Sequence, residues 1–179
     1  MILIDENLKN LALSQSVCER NDLVEDFCIQ IRLSNECYFR PKSNGVKIVY
    51  GVNSDGMHEA YDMVDPQKEP MFLKPQERVL ACSQETYNIP NNIFGLVQTK
   101  GTLARLFVQV TCCDGQIEPG FNGKITLEIV NLSPFDIEIP CLSKVAQLYL
   151  FQCSMKSAKP YAGKYACSDI PTLPDFDGF

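Results

Sequence analysis

The sequence predicts an all-β fold, a sandwich or closed barrel preceded by one short helix. Three observations carry this. Short apolar segments follow one another from residue 71 onward, each bounded by Pro, Gly or Asn. They leave no room for the crossover helices that a parallel sheet needs. Helical periodicity shows instead at the N-terminus, where Leu8, Leu11, Ala12 and Cys18 fall on one face of residues 5–20, with Asp5 or Asn7 placed to cap them.

After the helix, Phe27, Ile29, Ile31 and Leu33 alternate with polar residues, the period of a half-buried strand, and 46–50 is a second strand candidate. Residues 51–70 are polar, contain Gly, Pro and Asp, and predict a long excursion that holds His58 in a loop. Strands are then expected at 78–82, 93–98, 105–112, 123–131, 136–139 and 145–152. Turns between them fall at Pro75, Asn91-Asn92, Gly101, Pro119-Gly120, Gly123, Pro134 and Pro140. Residues 156–179 carry Pro160, Pro171 and Pro174 and little strand character, so they read as a tail that another element must order. With no repeat and no linker, 1–179 reads as a single domain.

Composition narrows the function. The chain is 45% hydrophobic and 21% charged, a globular mix, with a net charge of −6. An acidic surface opposes binding of a nucleic-acid polymer but not of a mononucleotide, which a few cations in one pocket can hold. No apolar run reaches transmembrane length and the N-terminus lacks a signal-peptide pattern, so the expectation is a cytoplasmic protein with no membrane contact. The nine cysteines (18, 28, 37, 82, 112, 113, 141, 153 and 167) show no C-x-x-C, and they read as free, small buried hydrophobes rather than zinc ligands.

Three motifs carry chemistry. Thr99-Lys100-Gly101-Thr102-Leu103-Ala104-Arg105 is followed by Ile117-Glu118-Pro119-Gly120-Phe121-Asn122-Gly123 and by Thr126-Leu127-Glu128-Ile129-Val130-Asn131. Alternation puts Ile125, Leu127 and Ile129 on one face of the last strand and Glu128 on the other. In this order and spacing the motifs resemble the dCTP deaminase and dUTPase superfamily, most closely the dCTP deaminases, whose blocks read G-R-S-S-L-x-R, I-D-P-G-[FW]-x-G and T-L-E-[FIL]-x-N. Residues 73–97 are similar to the family's preceding L-x-P-x-E-x-V-L-A strand and E-x-x-x-[IL]-P loop, and Tyr161-Ala162-Gly163-Lys164-Tyr165 to its Y-x-G-K-Y lid.

The resemblance implies a distorted jelly-roll or β-barrel of the dUTPase-like type, assembled as a homotrimer with sites between subunits. It implies hydrolytic deamination of dCTP to dUTP and ammonia, with Mg²⁺ arriving on the triphosphate. Glu128 would be general base and proton shuttle, and Arg105 would hold it in orientation. Lys100 and Thr102 would hold the triphosphate, joined by Lys164 from the lid that also carries Tyr161, and by Gln147, which matches a phosphate-contacting position of dUTPases. Zinc-dependent nucleobase deaminases instead need H-x-E and P-C-x-x-C. Pro140-Cys141 lacks the second cysteine and His58 is not in H-x-E, so zinc is not expected.

The departures from the pattern gather near the reaction centre. Gly101 stands for the first Ser, Cys113-Asp114 for Thr-Ala beside the base, Thr111 for a frequent His, and Glu118 for the Asp of I-D-P-G; Ser168 lies near where the lid carries Gln. Two alternatives therefore stay open. One is a dUTPase-like or bifunctional pyrophosphohydrolase from dCTP to dUMP, with Glu118 activating water against the α-phosphate. The other is a member that binds nucleotide or a regulatory partner without catalysis.

Overall fold

The computed structural model describes residues 1–43, 45–52 and 56–176. Eleven strands form among them: β1 (Ile29–Arg32), β2 (Tyr38–Pro41), β3 (Tyr61–Val64), β4 (Met71–Leu73), β5 (Arg78–Asn88), β6 (Ile93–Thr99), β7 (Val108–Gln109), β8 (Gln116–Ile117), β9 (Asn122–Asn131), β10 (Ile137–Ile139) and β11 (Lys144–Gln152). Every pairing between them is antiparallel. They make a four-stranded sheet β1-β11-β6-β8, a five-stranded sheet β3-β2-β5-β9-β7 and the ribbon β10-β4. One apolar cluster fills the interior, including Ile29, Ile31, Leu127, Ile129, Leu148 and Leu150. No helix among the described residues is long and apolar enough to cross a membrane.

Helix α1 spans Asp5–Ser14 and buries Leu8 and Ala12. It is shorter than the predicted 5–20 because Ser16 turns left-handed (φ 50°), after which Cys18 bridges to Tyr87. No side chain caps it: Ile4 is the N-cap, and the Asp5 N–H donates to the Asp26 carbonyl at 2.6 Å. The predicted strand at 46–50 does not form, and Val46, Ile48, Val49 and Tyr50 are exposed. β2 is paired on both sides, by β3 and β5. His58 sits in a 3₁₀ turn at Met57–Ala60.

The longest ladder joins β5 to β9, with a register shift between Cys82 and Thr86. Within that bulge the Ser83 hydroxyl donates to the Glu85 carbonyl (2.8 Å) and accepts the Ile125 N–H (2.8 Å), replacing ladder bonds that the bulge breaks. The Glu85 carboxylate is buried and is met by Arg32 of β1 at 2.5 Å, so an ion pair links the two large sheets. Asn131 closes β9. Its amide donates to the carbonyls of Leu73 (2.9 Å) and Phe135 (2.7 Å), and its Oδ1 accepts from Ser133. The terminal Asn of T-L-E-I-V-N therefore ties β4 and the following turn to β9.

The segment 105–112 is not one strand. Residues Gly101–Ala104 form a helical turn, α2, and i→i+3 bonds continue through Leu106 and Phe107. Phe107 then adopts φ 57°, leaving only Val108 and Gln109 to pair with β9.

Candidate active site

Alternation along β9 directs Lys124, Thr126 and Glu128 away from the core that takes Ile125, Leu127 and Ile129. These three polar side chains line one wall of a cavity of about 360 Å³. Its opposite wall and rim come from Val97, Thr111, Asp114, Glu118 and Phe121, and from Tyr161, Tyr165 and Thr172 of the tail.

Glu128 is half-buried and held by backbone. Its Oε2 accepts the Cys113 N–H at 2.7 Å and the Asp114 N–H at 3.2 Å, while the Cys112 N–H donates to its carbonyl at 3.1 Å. Both backbone donors meet Oε2, and the carboxylate lines the cavity. Asp114 lines the same cavity, but its Oδ1 accepts the Gln116 N–H at 3.0 Å, so its side chain shapes its own turn. Glu118 is exposed at the rim. Lys124 is buried and paired with Glu36 at 2.6 Å.

The P-G-F-x-G turn explains how the tail closes the cavity. Gly120 (φ 94°) and Gly123 (φ 136°) both occupy the left-handed side of conformational space. A Cβ on Gly120 would lie 2.5 Å from Pro160, and one on Gly123 would lie 3.0 Å from the Cys167 nitrogen. Bare backbone here lets the tail lie against its own chain. The Tyr161 N–H donates to the Pro119 carbonyl (2.8 Å), the Cys167 N–H to Asn122 (2.7 Å), and the Lys124 N–H to Ser168 (3.0 Å). Thr172 meets Thr126 through its hydroxyl (2.9 Å) and its N–H (3.1 Å). The Tyr161 ring packs on Phe121 with centroids 6.1 Å apart, and burial raises its hydroxyl above the usual tyrosine value. Lys164 donates to the Asp175 carbonyl and lies 5.8 Å from the Tyr165 ring centroid. The element that orders the tail is thus β9 and the turn before it.

Replacing Gly123 by Ala should loosen this tail where it crosses the first residues of β9. A strained left-handed residue costs about 1–3 kcal/mol. Limited trypsin digestion is then expected to cut after Lys156 or Lys164 several-fold faster than in the parent chain, with the β-core intact. Equal cleavage rates would show that the tail does not depend on this contact.

The remaining candidates gather elsewhere. The Lys100 ammonium donates to Gln30 Oε1 at 2.9 Å, and Gln30 Nε2 donates to Glu25 at 2.9 Å. Gln147 lies opposite Gln30 in the β1-β11 register and donates to the Cys28 sulfur at 3.1 Å. Lys100 and Gln147 therefore share one polar cluster through Gln30 and Cys28. Gly101 and exposed Thr102 follow Lys100 on α2, and exposed Arg105 ends it, folded back to donate to the Gly101 carbonyl at 2.8 Å. Among the described residues no hydrogen bond or ion pair joins Arg105 to Glu128, and none joins the Lys100 cluster to the cavity carboxylates. The chain holds two groups of candidates, a carboxylate cavity and a cationic strand end.

Sequence reasoning missed Gln30, because alternation in β1 put it on the polar face, whereas it is fully buried. It also passed over Lys124 and Thr126. Their shared parity with Glu128 was the signal that would have found them.

A family model described as dCTP deaminase-like matches residues 2–153. The chain is 34% identical over 146 residues to a Thermobifida fusca protein named dCTP deaminase, dUMP-forming, covering 80% of this chain and 72% of that one. It is 32% identical over 147 residues to the protein of the same name from Mycobacterium tuberculosis strain H37Rv, covering 82% and 76%. Among solved structures, the 2′-deoxycytidine 5′-triphosphate deaminase from Agrobacterium tumefaciens superposes with a TM-score of 0.60 at 18% identity, over 83% of this chain and 46% of that one. That similarity supports the dUTPase-like fold that the motifs implied.

Proposed function

The chain belongs to the dCTP deaminase-like family, and we propose that it hydrolyses the 4-amino group of dCTP with Glu128 as general base and proton shuttle. The observation that carries this reading is the Glu128 carboxylate, with one oxygen pinned by two backbone amides and the group lining a nucleotide-sized cavity. The second oxygen takes a proton from water as hydroxide adds to C4 of the cytosine, then returns it to the amine, which leaves as ammonia. Pinning the other oxygen fixes the direction of transfer. The substitutions at Cys113 and Asp114 are compatible with this, because backbone rather than side chain supplies both donors. Free cysteines suit the reducing cytoplasm in which such a nucleotide is found.

The cation end belongs to the same reaction if another copy supplies it. Arg105 and Thr102 are exposed on α2, beside exposed Leu106, Phe107, Leu132 and Phe135. An apolar patch next to an unabsorbed cation fits a homotrimer in which Lys100, Thr102 and Arg105 of one copy, and Gln147 near them, face the cavity of its neighbour. There Lys100, Thr102 and Gln147 hold the Mg²⁺-bearing triphosphate, Lys164 adds a charge from the tail, and Arg105 orients Glu128. Gly101 supplies no hydroxyl at its position, so water placement relies on the Glu128 carboxylate itself.

A second step is favoured by the relatives, whose printed names give dUMP as product. Glu118 is exposed at the cavity rim, and in this reading it activates water against the α-phosphate, releasing pyrophosphate. One assay tests both steps. With Mg²⁺ and dCTP, ammonia and pyrophosphate are measured while dUTP and dUMP are separated. Ammonia with dUMP supports both steps, and Glu118→Gln should then shift the product to dUTP while ammonia release continues. Ammonia with dUTP alone restricts the protein to deamination. Neither product from folded protein would overturn the catalytic reading.

A further inference from the structure

Cys112 and Cys113 are adjacent, both exposed, and the peptide bond between them carries the N–H that makes the shorter of the two amide bonds to Glu128, at 2.7 Å. The preceding amide, that of Cys112, is bonded to the Glu128 carbonyl at 3.1 Å. We propose that this vicinal dithiol is a peroxide-sensitive switch: closing it into a disulfide withdraws the Cys113 amide from Glu128 and silences the site. The inference rests on the role of Glu128 given above.

The geometry follows from ring closure. Successive Cα atoms lie about 3.8 Å apart across a planar trans peptide. Disulfide-linked residues usually stand at least about 4.4 Å apart. Joining neighbours makes an eight-membered ring that contains the Cys112–Cys113 peptide itself, and that peptide must twist or turn to close it. Its N–H is the one aimed at Glu128, so the bond cannot form without moving the donor. A strained, exposed disulfide is also the kind that dithiols reduce readily.

The surroundings select this pair. The Cys113 thiol is raised above its usual value by its hydrogen bond with the Cys112 side chain, then by the charges of Cys112 and Glu128. Either thiol can meet the oxidant, with its neighbour at hand to resolve it. With Cys112 first, hydrogen peroxide transfers one oxygen to the Cys112 sulfur, giving a sulfenic acid and one water. The Cys113 sulfur then attacks it, and the hydroxyl leaves with the Cys113 proton as a second water. Two thiols and one peroxide become one disulfide and two waters; the sulfurs lose two electrons and the peroxide gains them. By contrast Cys18, Cys28, Cys37 and Cys82 are buried, and burial raises each thiol, that of Cys82 to about 12.

Trypsin isolates the pair, because residues 106–124 hold no other cysteine between Arg105 and Lys124. After peroxide treatment and non-reducing digestion, this peptide is expected to be lighter by two hydrogens and inert to iodoacetamide. Hydrogen exchange at the Cys113 and Asp114 amides should speed up at least about tenfold, the signature of a lost hydrogen bond. Ammonia release from dCTP should fall by a similar factor and return with dithiothreitol. Cys112→Ser should hold its own untreated rate through the same treatment. Alkylation of both thiols after peroxide, a disulfide that leaves amide exchange unchanged, or equal inactivation of Cys112→Ser would each overturn the switch. If untreated protein releases no ammonia, the catalytic reading fails instead, and amide exchange still decides whether the ring moves the donor.

Discussion

Glu128→Gln is expected to lower ammonia release from dCTP by at least about 10³-fold, within the range that a positioned acid–base group supplies. The substitution is close to isosteric. A Gln carbonyl can accept the same two amides, from Cys113 at 2.7 Å and Asp114 at 3.2 Å, so the 111–114 loop keeps its anchor. What disappears is the capacity to take a proton from water and pass it to the leaving amine. Glu128 is half-buried on the cavity wall, not in the core, so stability should change by less than about 0.5 kcal/mol. Nucleotide binding, followed by calorimetry with dCTP, should persist, because the base and phosphate contacts remain. The split matters: loss of turnover with retained affinity marks a group acting in the transition state. Loss of both would reduce Glu128 to a structural anchor for the 111–114 loop, and retained turnover would remove it from the chemistry.

Much of this site was legible in the sequence because period and motif agreed. Alternation alone set Glu128 opposite Ile125, Leu127 and Ile129, and the burial of those three follows it. The glycines of the P-G-F-x-G turn also had a physical reason, which the structure makes specific: Gly123 admits the Cys167 nitrogen where a side chain would stand. Other elements depended on partners that a single sequence does not reveal. The apolar run 46–50 has strand composition, yet it forms no strand and its side chains are exposed. Arg105 sits in a segment with strand-like residues, but local i→i+3 bonds through Leu106 and Phe107 win and leave it at the end of a helical turn. Cysteine count was a poor guide as well. Cys112, Cys113 and Cys167 are exposed, because each lies on a turn or on the tail instead of on an inward strand face. Gln30 escaped notice for the opposite reason: a polar residue at an outward position is buried once Glu25 and Lys100 close over it.

Arg105→Ala should impair turnover by about 10²–10³-fold, the scale of losing a group that orients an acid–base residue. The distinctive expectation concerns mixtures. Arg105 ends α2, bonded to its own Gly101 carbonyl at 2.8 Å, and among the described residues no ion pair joins it to Glu128 of the same chain. If it acts on Glu128, it does so across a subunit boundary. Neither Glu128→Gln nor Arg105→Ala would be active alone, yet their co-expressed mixture would contain sites with an intact Glu128 on one copy and an intact Arg105 on its neighbour. Random assembly of equal amounts gives about a quarter of sites both intact residues, whatever the ring size. A recovery near that fraction, in an assembly sized as a trimer by light scattering, would fix Arg105 as a group donated between copies. A mixture as inactive as its components would mean that Arg105 works within its own chain, and α2 would then have to unfold its contact with Gly101 to reach the cavity. The two outcomes differ because the amino-acid chain divides its charges as it does: carboxylates on β9 and its preceding turns, cations on the strand end and helical turn after β6. One chain carries both halves of the chemistry without bringing them together, and a symmetric assembly is the least costly way to join them.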